Sequence, residues 1–105
     1  MAVRSISIFQ AHPGRRQEFL KDAVEAKKIL EGLGASWRIA ETTIGGPNTG
    51  SIIVALEFKD MAAFGAFTVK VQGDSAWQAF QARVLGRPDP TTTLLSRSLI
   101  TDIEL

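Results

Sequence analysis

Cysteine and tyrosine are absent from this 105-residue chain, histidine occurs once, and no apolar run approaches the length of a bilayer span. Without cysteine there is no disulfide framework, no thiolate zinc site and no cysteine nucleophile. One histidine leaves carboxylates as the only plentiful metal ligands, and neither a DxDxDG loop nor an HExxH pair organises them, so no metal site is expected. GxGxxG, GxxxxGK[ST] and GxSxG are missing too, which removes the dinucleotide, phosphate-loop and nucleophile-elbow readings and leaves no cofactor implied. Neither sign of charge prevails: 12 basic side chains stand against 11 acidic ones, spread along the whole length. Nucleic acid and membrane are therefore not expected partners, since both demand a concentrated basic surface. The opening MAVRSISIF lacks the long apolar core and cleavage pattern of a secretory signal, which makes a cytoplasmic location the expectation.

What remains is the composition of one ordinary domain, residues 1–105, with no repeat or low-complexity tract. From Val3 to Gln10 apolar and polar residues alternate at the period of a strand. Pro13 suits a first helical turn and Gly14 a tight entry, so the first helix is expected to start there and run to about Leu30 or Glu31. Phe19, Leu20, Ala23, Val24, Leu30 and Leu33 give it one apolar stripe, and Gly32 and Gly34 flank its end. SWRIAETTIGGPNTGSIIVALEF reads as two strands around a cluster of turn-forming residues. Asp60 is a good N-cap for MAAFGAFTVKV, and Asp74 or Ser75 for SAWQAFQARVL, with Gly73 breaking the two apart. GRPDP stops the second piece, and TTTLLSRSLITDIEL returns to strand character. The order strand, helix, strand, strand, broken helix, strand is the α+β, ferredoxin-like βαββαβ arrangement, with a four-stranded antiparallel sheet covered by helices on one side.

A symmetric hairpin loop between Ile44 and Ser51 would place Arg38 opposite Glu57, Ala40 opposite Ala55 and Thr42 opposite Ile53, with Trp37 meeting Phe58 and Ile39 meeting Leu56 on the other side. With Ile6, Ile8, Trp37, Ile39, Leu56 and Phe58 packed under the helices, the uncovered face carries Ser5, Ser7, Phe9, Arg38, Thr42, Ile44, Ile53 and Glu57 among its members. A face so mixed invites a second sheet to cover it.

Three stretches, HPGRRQEFL, LEFKDMAAFGAF and GDSAWQAFQARV, together with the element order, resemble the dimeric α/β-barrel superfamily, which includes NIPSNAP-like proteins, stress-responsive barrel proteins and antibiotic-biosynthesis-type monooxygenases. The resemblance implies a homodimer whose open sheet faces meet in a barrel, with a small-molecule cavity on the open sheet of each protomer. The cofactor-free oxygenases of that superfamily use tyrosine with tryptophan, asparagine and arginine; here there is no tyrosine, and the single asparagine, Asn48, lies in the hairpin loop.

Each candidate site residue has a structural reading beside a chemical one. His12, where strand turns to helix, is either a turn residue or a proton donor or acceptor. Arg38 and Glu57 are either a cross-strand ion pair or an anion anchor with a base beside it, and Arg97 on the last strand is a second candidate for the anion. Trp77 either packs helix on sheet or, by the resemblance, walls the cavity, whose other expected lining is Ser5, Ser7, Phe9 and Thr42. Trp37 and the stripe Phe64, Phe67 and Val71 read as core. The expected function is binding of a small apolar or weakly acidic ligand, the alternatives being a cofactor-independent monooxygenase-like or isomerase-like enzyme and a non-catalytic stress or accessory module. An RNA-binding sheet is disfavoured, because IIVALEF lacks the basic-Gly-aromatic pattern such sheets use.

Overall fold

The structure, a computed structural model, describes residues 2–105. Its elements follow the expected order: β1 (Val3–Ala11), α1 (Arg16–Gly32), β2 (Ser36–Glu41), β3 (Ile52–Phe58), α2 (Met61–Gly73), α3 (Ser75–Leu85) and β4 (Thr92–Thr101). The strands form one antiparallel sheet in the order β2-β3-β1-β4, the ferredoxin-like topology. Among the described residues no helix is long and apolar enough to cross a membrane.

The helix boundaries follow local chemistry. The Asp60 carboxylate accepts from the Ala63 N–H at 2.8 Å, and the Asp74 carboxylate accepts from the Trp77 N–H at 2.8 Å, so each short helix has one of its N-terminal donors satisfied by a capping side chain. The first helix begins later than Pro13 suggests. His12 O accepts from the Arg15 N–H at 2.9 Å, and Gly14 has φ +75°, so His12-Pro13-Gly14-Arg15 forms a β-turn with glycine where φ is positive. That turn occupies the residues a first helical turn would need, and α1 starts only at Arg16.

The end of α1 is a Schellman cap: Gly34 N–H donates to Glu31 O and Ala35 N–H to Leu30 O, both at 3.1 Å, with Gly34 at φ +107°. Gly34→Ala should therefore cost about 1–3 kcal/mol in chemical denaturation, whereas Gly32→Ala, at a helical site with open space around a new Cβ, should be neutral or slightly stabilising. Equal effects at the two positions would contradict this cap.

The hairpin register is shifted by two residues from the symmetric one. The Thr42 N–H donates to Ser51 O at 2.8 Å, closing the loop one pair earlier, and Gly50 at φ +87° returns its N–H to Thr42 O at 2.7 Å. A two-residue shift preserves the faces but exchanges partners. Arg38 lies opposite Ala55, Trp37 opposite Leu56 and Ile39 opposite Val54, so Arg38 and Glu57 are not the expected pair. β2 ends at Glu41, which leaves Thr42 at the hairpin neck and Ile44 in the loop, 91% exposed, rather than on the sheet.

The faces of β1 are the reverse of the expectation. Ser5 lies opposite Leu56, Ser7 opposite Val54 and Phe9 opposite Ile52, and opposed residues share a face, so Ser5, Ser7 and Phe9 look toward the helices with Trp37. Both parities of β1 carry two large apolar residues: Val3 and Phe9 on one, Ile6 and Ile8 on the other. The first pair is anchored by Val3, 1% exposed, and by Phe9 against Phe19 of α1 with ring centroids 5.2 Å apart. Ile6 and Ile8 stand on the uncovered side opposite Ala55 and Ile53.

The core sits over β2 and β3, where Ala23, Leu30, Ala35, Trp37, Phe58 and Phe67 are buried together. β4 is an edge strand whose Leu94, Leu95, Leu99 and Ile100 are nearly half exposed.

Candidate functional site

Packing at the β2–β3 end and small polar side chains in mid-β1 leave a cleft of about 730 Å³ between the sheet and all three helices. Its floor is Ser5, Ser7 and Phe9 of β1, Val54 and Leu56 of β3, and Leu94 and Arg97 of β4. Its roof is formed by Ala23 and Ala26 of α1, Phe64 and Phe67 of α2, and Trp77, Phe80 and Val84 of α3. Alanine on α1 and serine on β1 face each other where larger residues would fill the interior. The Trp77 and Phe80 rings lie 5.2 Å apart with a 30° tilt, giving the roof an aromatic panel.

The cleft lies on the covered side of the sheet, so the expectation of a cavity on the open face is corrected together with the orientation of β1. Five of the expected ligand-binding residues nevertheless line it: Ser5, Ser7, Phe9, Trp77 and Arg97. Their common surroundings come from the reversed parity of β1 and from Arg97 standing opposite Ser7 in the β1–β4 ladder.

Arg38, Thr42, Glu57 and His12 are elsewhere. Glu57, on the uncovered side, accepts from Arg4 Nε at 3.3 Å, and Arg4 also donates to Asp102 at 2.6 Å, which with Glu57 holds the guanidinium above its ordinary pKa. Arg38 is exposed on that same side. The Thr42 hydroxyl accepts from the Ser51 hydroxyl at 2.9 Å and serves the hairpin neck. His12 Nε2 is 2.8 Å from the Thr93 hydroxyl oxygen, and its backbone N–H donates to Thr91 O at 2.8 Å, so it ties the first turn to the start of β4.

Sequence reading missed the polar end of the cleft. Residues 86–91, linking α3 to β4, form a strap over the N-terminal half of α1. Arg87 donates to both Asp22 oxygens at 2.6 and 3.0 Å, and Arg15 donates to Asp89 at 2.7 Å and to Glu18 at 2.7 Å. Asp22, Arg87, Pro90 and Thr91 line the cleft beneath this strap. The available signal was the alternation of charge in GRPDP against the acidic i, i+4 spacing of Glu18 and Asp22, which names no partner by itself.

The Arg15 guanidinium holds the Glu18 carboxyl below the ordinary glutamate range, mainly through their hydrogen bond. A carboxylate with a lowered folded-state pKa stabilises the fold above its unfolded-state pKa, and the contribution is lost as pH falls through the lowered value. Glu18→Gln should therefore lower the neutral plateau of a plot of Tm against pH slightly and, because protonation already removes the contribution in acid, flatten the acid limb below about pH 4.5. An unchanged acid limb would contradict the pairing.

Among the described residues one buried side-chain donor is left over. The indole N–H of Trp37 is buried with no hydrogen-bond partner, and the structure offers no compensation for it.

No protein-family model and no curated protein sequence matches the chain. Its fold is shared with solved structures. An uncharacterized NIPSNAP domain protein from Burkholderia xenovorans is 20% identical, with 98% of this chain and 95% of that one covered at a TM-score of 0.72. A NIPSNAP-like domain protein from the same organism is 12% identical, covering 97% and 85% at a TM-score of 0.73. SnoaB from Streptomyces nogalater, a cofactor-independent oxygenase, is 12% identical, covering 99% and 95% at a TM-score of 0.67. The fold is thus that of the NIPSNAP-like and antibiotic-biosynthesis-monooxygenase-type proteins, as the sequence resemblance implies, and at these identities the likeness is one of fold.

Proposed function

We propose that the chain binds a small, largely apolar molecule in the cleft between sheet and helices, and does so as a homodimer with the two uncovered sheet faces packed together. The observation that carries the binding reading is the cleft itself: about 730 Å³, walled by aromatic and aliphatic side chains, within the range of small-molecule sites. A purely architectural module would be expected to have this space filled. The dimer reading rests on Ile6, Ile8, Ala40, Ile53, Ala55 and Ile100, which the strand registers gather on the uncovered face. The cytoplasm is the inferred setting, and neither nucleic acid nor membrane is a proposed partner.

Binding is favoured over catalysis by the lining. Tyrosine is absent from the chain, His12 and Asn48 are not among the lining residues, and the cleft's carboxylate, Asp22, is engaged at both oxygens by Arg87. A cofactor-independent monooxygenase-like or isomerase-like activity is the runner-up, supported by the fold shared with SnoaB.

The test is fluorescence of the neutral apolar probe N-phenyl-1-naphthylamine. The wild type should bind it saturably, and Ala26→Trp, which places an indole where the roof now carries a methyl group, should weaken binding at least about tenfold. Failure of the wild type to bind, or equal binding by the variant, would sink the cleft as a ligand site.

A further inference from the structure

We infer that the molecule held in the cleft is a monoanion, an apolar carboxylic acid whose carboxylate is received by Arg97 and Ser7. The inference rests on the cleft being the ligand site and adds the chemical class of the ligand.

The charge in the cleft points to it. The ionisable side chains lining the space are Asp22, Arg87 and Arg97. Asp22 and Arg87 neutralise each other through two hydrogen bonds of 2.6 and 3.0 Å. Arg97 has no carboxylate within ion-pair distance among the described residues; its Nε donates to the Ser7 hydroxyl oxygen at 3.0 Å. Arg97 is solvent-exposed at the edge strand, so one positive charge without a carboxylate partner stands at the rim of a largely apolar space.

The hydrogen-bond pattern narrows the class further. Ser7 is 7% exposed and engages Nε, which restrains the guanidinium plane and leaves its two terminal nitrogens as donors. Two parallel N–H donors match the two oxygens of a carboxylate. The Ser7 hydroxyl accepts from Arg97, so its own hydrogen is available to the same anion. No lysine and no second unpaired arginine lines the cleft, so a phosphate dianion would bring a charge that nothing there balances. A molecule without an acceptor would cover the guanidinium without replacing the water it displaces, and a single neutral hydroxyl would meet only one of its donors. The body of the acid lies against the Trp77–Phe80 panel, the large apolar part of the wall.

Displacement of N-phenyl-1-naphthylamine by three ten-carbon molecules, decanoate, decanol and decyl phosphate, at neutral pH tests the class separately from the site. Decanoate should displace the probe roughly ten- to hundredfold better than decanol, with decyl phosphate no better than decanoate. Arg97→Gln should bring decanoate down to the level of decanol while leaving decanol unchanged, which also shows the variant to be folded, and Arg97→Lys should restore only part of the preference. Equal displacement by decanoate and decanol in the wild type, tighter binding of decyl phosphate, or an unaltered acid preference in Arg97→Gln would overturn the inference and leave the cleft standing. If neither the probe nor any of the three binds, the cleft reading itself fails, and this inference with it.

Discussion

Ile53→Asp is expected to turn the proposed dimer into a monomer that still binds the apolar probe. Ile53 lies between Ile8 and Ala40 on the uncovered face, near the middle of the aliphatic patch. In the isolated protomer the position is only partly buried, so an aspartate there meets water and the fold survives. In a face-to-face dimer the same carboxylate would be enclosed by aliphatic side chains with no partner, a penalty of several kcal/mol, or roughly a hundredfold or more in dimer dissociation constant. Sedimentation of the two proteins over a range of concentrations reads this directly. A variant as dimeric as the wild type would remove the uncovered face from the interface, while loss of probe binding on dissociation would show that the cleft depends on the partner.

Phe58→Ala should be the most damaging single truncation. The side chain is 4% exposed and touches both aromatic residues that α2 turns inward, Phe64 with centroids 5.4 Å apart in an edge-on arrangement and Phe67 at 4.8 Å. Removing a buried phenyl ring costs about 3–5 kcal/mol, from lost transfer energy plus the cavity left behind. A domain of this size has about 5–15 kcal/mol in total, and each kcal/mol is worth about 4–8 °C in Tm. Phe64 and Phe67 also wall the cleft, so probe affinity should fall together with stability. A loss below about 1.5 kcal/mol in denaturant titration would mean that α2 is not fixed to the sheet through this ring.

Local chemistry was legible in the sequence where one residue type has one structural use. Asp60 and Asp74 before apolar helical runs cap the helices they were expected to cap, and Gly34 ends α1 in the left-handed region as expected of a residue without Cβ. The Pro-Gly pair suits a helix start, but Pro followed by Gly is equally the signature of the turn that forms. Other features depend on distant partners. The parity of β1 is balanced in composition and is decided by what Val3 and Phe9 meet across the fold, and that decision moves Ser5 and Ser7 from the open face to the cleft. The hairpin register turns on a Thr42–Ser51 pairing within a glycine-rich loop, which alternation alone does not fix. The strap joins Arg87 to Asp22, residues 65 positions apart, and no local pattern connects them. Ser5, Ser7, Phe9, Trp77 and Arg97 are candidates from sequence, yet the space that unites them follows only from the folded arrangement.

The most direct test of the account follows amide, indole and methyl resonances while N-phenyl-1-naphthylamine is titrated into isotopically labelled protein. Both tryptophans of the chain line the cleft, as do Val54, Leu56 and Val84, whereas Ile6, Ile8, Ile53 and Ile100 lie on the opposite side of the sheet. The account predicts that both indole N–H signals and those valine and leucine methyls shift saturably while the four isoleucine methyls stay in place. Shifts concentrated on the isoleucines, with the indoles unmoved, would place the ligand on the uncovered face and contradict it.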